Sequence, residues 1–202
     1  MNRRRSGFCL RFCLLVAIAG LAGAACQLRR PDTVAVRMIE PQLVEPPGPA
    51  AVAADAVAVR LLDTQARAHI GRRLLRQLPD GELAEDPVWR WSSAPDRYLD
   101  TALRLELASS RDVRLVDSGA ASALAVTLLV WQLESTTGGT RLAGAIELQL
   151  AGADRGVNAG VVRDSEPVSA DLPGDLAPAA GRLLRRLASE ALTRVRSRAP
   201  SR

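Results

Sequence analysis

The most regular pattern in the chain is an alternation. Over residues 123–134, Leu124, Val126, Leu128 and Val130 interleave with Ala125, Thr127, Leu129 and Trp131, so both faces of one long strand are largely apolar. Such a strand is covered on both sides, or leaves one face to dock a partner. Residues 135–140, with Gly138-Gly139, supply a turn. Leu142, Gly144, Ile146, Leu148 and Leu150 then alternate with Arg141, Glu147 and Gln149, which predicts a half-exposed antiparallel partner. A turn over 152–156 and a weaker strand over 157–163 follow.

Upstream, Val57, Val59 and Leu61 share one face of a strand over 56–62, and residues 63–71 read as a polar connection. Residues 74–78 and 82–86 flank Pro79-Asp80-Gly81, the chemistry of a hairpin turn. Residues 34–39 are apolar enough for a first edge strand, and 113–117 for a short one.

Two segments carry the helical period instead. Ser93 is placed to cap a helix, with Asp96 three residues later completing a capping box. Leu99, Ala102, Leu103 and Leu107 then line one face to about Ser109. The last helix spans about 176–196. Its stripe is Ala180, Leu183, Leu184, Leu187, Ala191 and Val195, and Arg182, Arg185, Arg186, Arg194 and Arg196 supply most of its charge. A basic amphipathic helix can lie on an anionic membrane. The stripe is also what any helix packed on its own domain shows, and that reading is preferred. The order of strands, helix, strands, helix predicts an α+β fold: an antiparallel β-sheet packed against two main α-helices in a single domain.

The N-terminus has another layout. Arg3, Arg4, Arg5 and Arg11 precede an apolar run over 12–25 that ends in small residues, the arrangement of a secretory signal peptide. The run is shorter than the roughly 20 residues a membrane-spanning helix needs. Leu21-Ala22-Gly23-Ala24-Ala25-Cys26 resembles a lipobox, the signal read before a cysteine is acylated. Gly23 departs from its usual aliphatic residue, which leaves open ordinary cleavage after Ala24. Cysteine usage favours acylation. Cys9 and Cys13 would leave with the signal, and the mature chain would hold one cysteine, Cys26, at its first position. The expected organisation is a signal peptide over 1–25, a lipidated N-terminus and Pro-rich tether over 26–55, an α+β domain over 56–198 and a tail over 199–202.

Charge narrows the partners. The chain has 27 basic and 22 acidic residues and a formal charge of +5. Four basic residues and no acidic ones lie in the signal, which leaves 23 against 22, a net of +1. No nucleic-acid partner is expected.

Chemistry is sparse. His69 is the one histidine, in a polar, Arg-rich connection, and no Gly-x-Ser-x-Gly elbow accompanies it. The mature chain lacks the several His or Cys ligands of a typical metal site, and no glycine-rich phosphate cradle is present. No catalytic residue, metal or cofactor is assigned. Glu82, Glu85 and Asp86 cluster, which a charged edge strand explains as well as a carboxylate pair does. Trp89, Trp91 and Trp131 are the candidate partner-docking or lipid-contact residues. For Trp91 the preferred reading is an anchor of the helix to the sheet.

A series of features in order carries a family resemblance. They are the lipoprotein signal, the early strand with its Asp63 connection, the hairpin ending Trp89-Arg90-Trp91-Ser92-Ser93-Ala94-Pro95, the Leu-rich helix, the long strand with its Gly turn and return strand, and the closing amphipathic helix. The chain resembles the auxiliary lipoproteins of ABC-type lipid transport systems, the paraquat-inducible C-like group, over most of its mature length. The resemblance implies a lipid-anchored protein on the periplasmic face of the outer membrane. It also implies partnership with a mammalian-cell-entry (MCE) protein and its ABC permease and ATPase, which move phospholipid between membranes. Gln27 after Cys26 fits outer-membrane sorting by the same analogy. The leading expectation is a non-enzymatic adaptor; the alternatives are a carrier holding phospholipid in its own groove and, ranked last, an envelope hydrolase. A carrier needs an open apolar groove between sheet and helix.

Overall fold

The computed structural model describes residues 34–44, 48, 51–118, 121–151, 156–169 and 174–198. The chain divides after Ala35, and the unit described below begins at Val36. Its elements are β1 (Arg37–Ile39), β2 (Val57–Leu61), β3 (Gln65–Ala66), β4 (Arg73–Gln77), β5 (Leu83–Trp91), α1 (Pro95–Ser109), β6 (Val113–Leu115), β7 (Ser122–Thr136), β8 (Gly139–Ala151), β9 (Gly156–Val168) and α2 (Leu176–Arg198).

The strands form one mixed sheet around β7, and the fold class is α+β. One edge of β7 pairs antiparallel with β8, which pairs antiparallel with β9. Its other edge is shared along its length by β2, β3 and β4, all parallel to it. β6 lies beyond β2, and β5 then β1 lie beyond β4. The expected antiparallel sheet is therefore mixed. Residues 57–77 run alongside β7 in the same direction, because the hairpin and α1 intervene before the chain returns. A crossover containing a helix is what parallel pairing requires. The polar connection over 63–71 also contributes β3, a two-residue strand that alternation over so short a span does not reveal.

β7 settles its two apolar faces by a bulge. Leu128 pairs with Ile146 but Val130 with Ala145, so one extra residue enters β7. The inserted residue reverses the alternation downstream. Trp131, expected on the face opposite Leu124, Val126 and Leu128, joins them in the core with Leu133. Both helices pack on that side. α2 lies over β8 and β9, and α1 packs against α2 and the β3, β6 and β7 region. Gly144 makes the close packing possible, since a Cβ there would come 2.9 Å from the Leu187 Cδ1. Among the described residues no helix covers the other face, where Leu129 and Val130 are half-buried.

Each helix buries its expected stripe, and five arginines of α2 are ion-paired. Arg182 and Arg186 reach Glu166 at 2.5 and 2.6 Å, Arg186 also reaches Asp164, and Arg196 reaches Asp112. Arg185 faces Glu106, and Arg194 faces Glu190. On β9, side chains take three backbone groups. Arg194 donates to the Val161 carbonyl, Arg141 and Arg186 donate to the Ser165 carbonyl, and the Ser165 N–H donates to Asp164. Groups occupied this way are withheld from a further strand.

The start of α1 differs from expectation. Its N-cap is Ala94, with no side-chain cap, and Pro95 opens the helix. Proline suits the first helical position, where its missing N–H would have no partner. Ser93 is one residue too early to cap, and its N–H donates to the Tyr98 hydroxyl at 2.6 Å. The hairpin matches expectation: Leu78 and Glu82 close Pro79-Asp80-Gly81, and Gly81 takes a φ of +88°.

Candidate docking and anchoring surfaces

The Trp89–Pro95 stretch forms a corner where edge strand, hairpin and first helix meet. In register, Arg37 sits beside Trp89 and Ile39 beside Trp91. The Ser92 N–H donates to the Ile39 carbonyl at 2.9 Å, and the Ser92 hydroxyl lies 2.5 Å from the Tyr98 hydroxyl. Tyr98 donates to Glu40 at 3.0 Å. One hydroxyl on α1 thus fastens both the exit of β5 and the end of β1. Burial raises the Tyr98 pKa above its ordinary value, the Ser92 bond pulls the other way, and the Glu40 carboxylate adds to burial. The sequence reading passed over Tyr98. The available signal was that it is the only tyrosine and lies one residue from Leu99 on the apolar side of the helix.

The three tryptophans separate. Trp91 is 0% and Trp131 1% exposed, with ring centroids 5.6 Å apart and tilted by 51°. Both are core residues and present no surface to a partner, a correction to their candidacy for docking or lipid contact. Trp91 ties the hairpin to the body of the core. Trp89 is half-buried, with the Arg37 guanidinium 5.4 Å from its ring centroid, and it alone of the three keeps surface. Cys26 lies outside the described residues.

The acidic group on β5 is structural. Asp86 is buried, accepts the N–H groups of Val88 and Trp89 at 2.9 Å each, and receives Arg76 at 2.8 Å. Burial pushes its carboxyl up, but those hydrogen bonds outweigh burial and hold it below the usual range. Glu85 pairs with Arg73, and His69 is exposed. Glu166 behaves like Asp86: burial raises it, and Arg182 and Arg186 more than reverse the effect. Among the described residues no group of three or more His, Cys, Asp or Glu is placed to hold a metal, and no helix is long and apolar enough to cross a membrane.

The space between sheet and helices is filled. Leu183, Leu184 and Leu187 of α2 and Leu142, Ile146 and Leu148 of β8 are all 0% exposed. Two cavities lie at the surface. One of about 410 Å³ sits between β9 and α2, lined by Asp164, Arg186, Glu190 and Arg194. The other, of about 550 Å³, is lined by His69, Arg72, Arg73 and Glu85 with Leu75 and Leu83. Charged side chains dominate the first and share the second.

No family model matches the sequence, and no curated protein matches it. Solved structures do share the fold. A Xanthomonas campestris protein described under family DUF330 superposes with a TM-score of 0.62 at 16% identity, over 80% of this chain and 96% of its own. An uncharacterized protein gives 0.56 at 12% identity, over 81% and 98%. A hypothetical protein of Chlamydia trachomatis gives 0.51 at 11% identity, over 70% and 96%. The α+β fold is common to all four chains.

Proposed function

We propose that this protein is a lipoprotein anchored through Cys26 to the periplasmic face of the outer membrane, where it acts as the auxiliary adaptor of an MCE and ABC-type phospholipid transport system. The observation that carries the reading is the Trp89–Pro95 corner. The stretch on which the resemblance chiefly rests is the one that joins β1, β5 and α1 in space. The fold shared with the DUF330 protein along nearly all of that protein's length supports a common scaffold.

The filled interior favours an adaptor over a carrier. Leu183, Leu184 and Leu187 occupy the space that acyl chains would need. Contacts with the MCE protein then fall on exterior surface, for which Trp89 and the helix-free face of β7 and β8 are available. Anchoring needs more than one acyl chain to be stable, which a fully processed lipoprotein cysteine supplies.

Crosslinking in native envelopes followed by pull-down of the tagged protein tests the reading. Recovery of an MCE protein with its permease is the expected result; recovery of unrelated envelope proteins alone would sink the adaptor role. Cys26→Ala tests the anchor separately, by loss of the acyl mass and release from membranes.

A further inference from the structure

We propose that the β1 edge of the domain seats on the lipid surface that carries the Cys26 anchor, a proposal that rests on acylation of that cysteine. The seat is made by Val36, Met38 and Val44.

The first observation is where exposed apolar surface lies. Val36, Met38 and Val44 are 49%, 53% and 63% exposed, three of the more open large apolar side chains among the described residues. All fall within nine consecutive positions at the start of the unit. Met38 pairs in register with Arg90, on the side of β1 opposite the buried Ile39 and Trp91, so its exposure follows from the strand's alternation. Leu43 between them packs against the core, which fixes the segment in place.

The second observation is chain length. Val36 lies ten positions after Cys26, and at full extension that stretch reaches at most about 35 Å. A domain of this size has a radius of gyration of roughly 15 Å, so that reach is about its width. Within the expected tether, β1 and residues 41–44 belong to the unit that begins at Val36. The Gln42 N–H donates to the Ala177 carbonyl at 3.0 Å. Residues 36–44 are thus the part of this unit nearest Cys26 along the chain.

The third observation is chemical type. Apolar side chains on the β1 edge can enter a headgroup boundary, while Arg37 and Trp89 share the opposite face of the sheet with Ile39 and Trp91. The alternative membrane face, the basic side of α2, has its arginines committed to Glu166, Asp164, Glu106, Glu190 and Asp112.

The test uses the mature acylated chain in vesicles of phosphatidylethanolamine and phosphatidylglycerol that contain a quencher in the acyl region. Acylation blocks Cys26, so an introduced cysteine is the only free thiol. Met38→Cys and Val44→Cys carry an environment-sensitive fluorophore, and Val161→Cys, exposed on β9 at the far margin of the sheet, is the control. The proposal expects several-fold stronger quenching at positions 38 and 44 than at 161. Equal quenching at all three, or none at any in a chain that carries the acyl mass and floats with vesicles, overturns the seat and leaves the anchor standing. A wild-type chain with neither acyl mass nor flotation overturns both.

Discussion

Gly181 of α2 lies directly against the Gln42 backbone: a Cβ at position 181 would come 1.9 Å from the Gln42 carbonyl oxygen. The atom in the way is main chain, so rotamer changes cannot relieve the clash. Elsewhere in a helix, glycine to alanine stabilises by about 1 kcal/mol. Here Gly181→Ala should instead destabilise, by about 1–3 kcal/mol, as an overpacked contact does. Urea denaturation gives the sign, and hydrogen exchange should show the loss concentrated in β1 and residues 41–44.

Tyr98→Phe keeps the ring and removes the hydroxyl shared by Ser92, Ser93 and Glu40. The expected cost is about 1–2 kcal/mol, with the Ser93 N–H left without its partner. The wild type should also have an alkaline limb that the variant lacks. Because the folded pKa is raised, the contribution is complete below the ordinary value of 10.0 and fades as pH climbs through the folded value. Identical alkaline limbs in the two proteins would contradict the placement of this hydroxyl.

Asp86 and Glu166 govern the acid side. Both carboxyls are held below their ordinary values of 3.8 and 4.5. Their contribution is therefore present above those values and lost as pH falls through the lower, folded ones. Glu166→Gln should cost about 1–3 kcal/mol near neutral pH, by weakening the tie between β9 and α2, and the deficit should shrink under acid. Thermal unfolding between pH 7 and about pH 3 would check both.

The tryptophans should rank by burial. Trp91→Ala and Trp131→Ala should each cost about 3–5 kcal/mol, and Trp89→Ala clearly less. Trp89→Ala is the variant for a binding experiment, since it should leave the domain folded. Deleting Leu129 removes the bulge but leaves Val130 alone between Leu128 and Trp131, so Trp131 should stay on the core side. Unshifted tryptophan emission and retained cooperative unfolding are expected for that variant.

The helices and their buried faces were legible from spacing alone, because Leu183, Leu184 and Leu187 recur at the helical period and nothing interrupts them. The hairpin was legible from Pro79-Asp80-Gly81. Strand direction was not: alternation reports which residues share a face and carries no information about the neighbouring strand. Nor was the bulge, since one extra residue between Leu128 and Val130 leaves no mark in composition, yet it decides the side on which Trp131 stands. The Ser93 capping box failed by one position, where Pro95 is the stronger start. Of the candidate surface, Trp91 was already preferred as a core anchor, but Trp89 could not be told from Trp131. The contact between Gly181 and Gln42 joins segments too distant in sequence for any local pattern to pair them.

The parallel pairing of β1 with β5 has a mechanical consequence. Consider a pull applied at Val36 along the axis of β1. Its backbone bonds to β5, the Ser92 and Ile39 bond, the Tyr98 and Glu40 bond and the Gln42 and Ala177 bond are then strained together rather than opened one after another. Bonds loaded in shear share the tension, so a strand of only three residues can serve as the point where the domain takes up load.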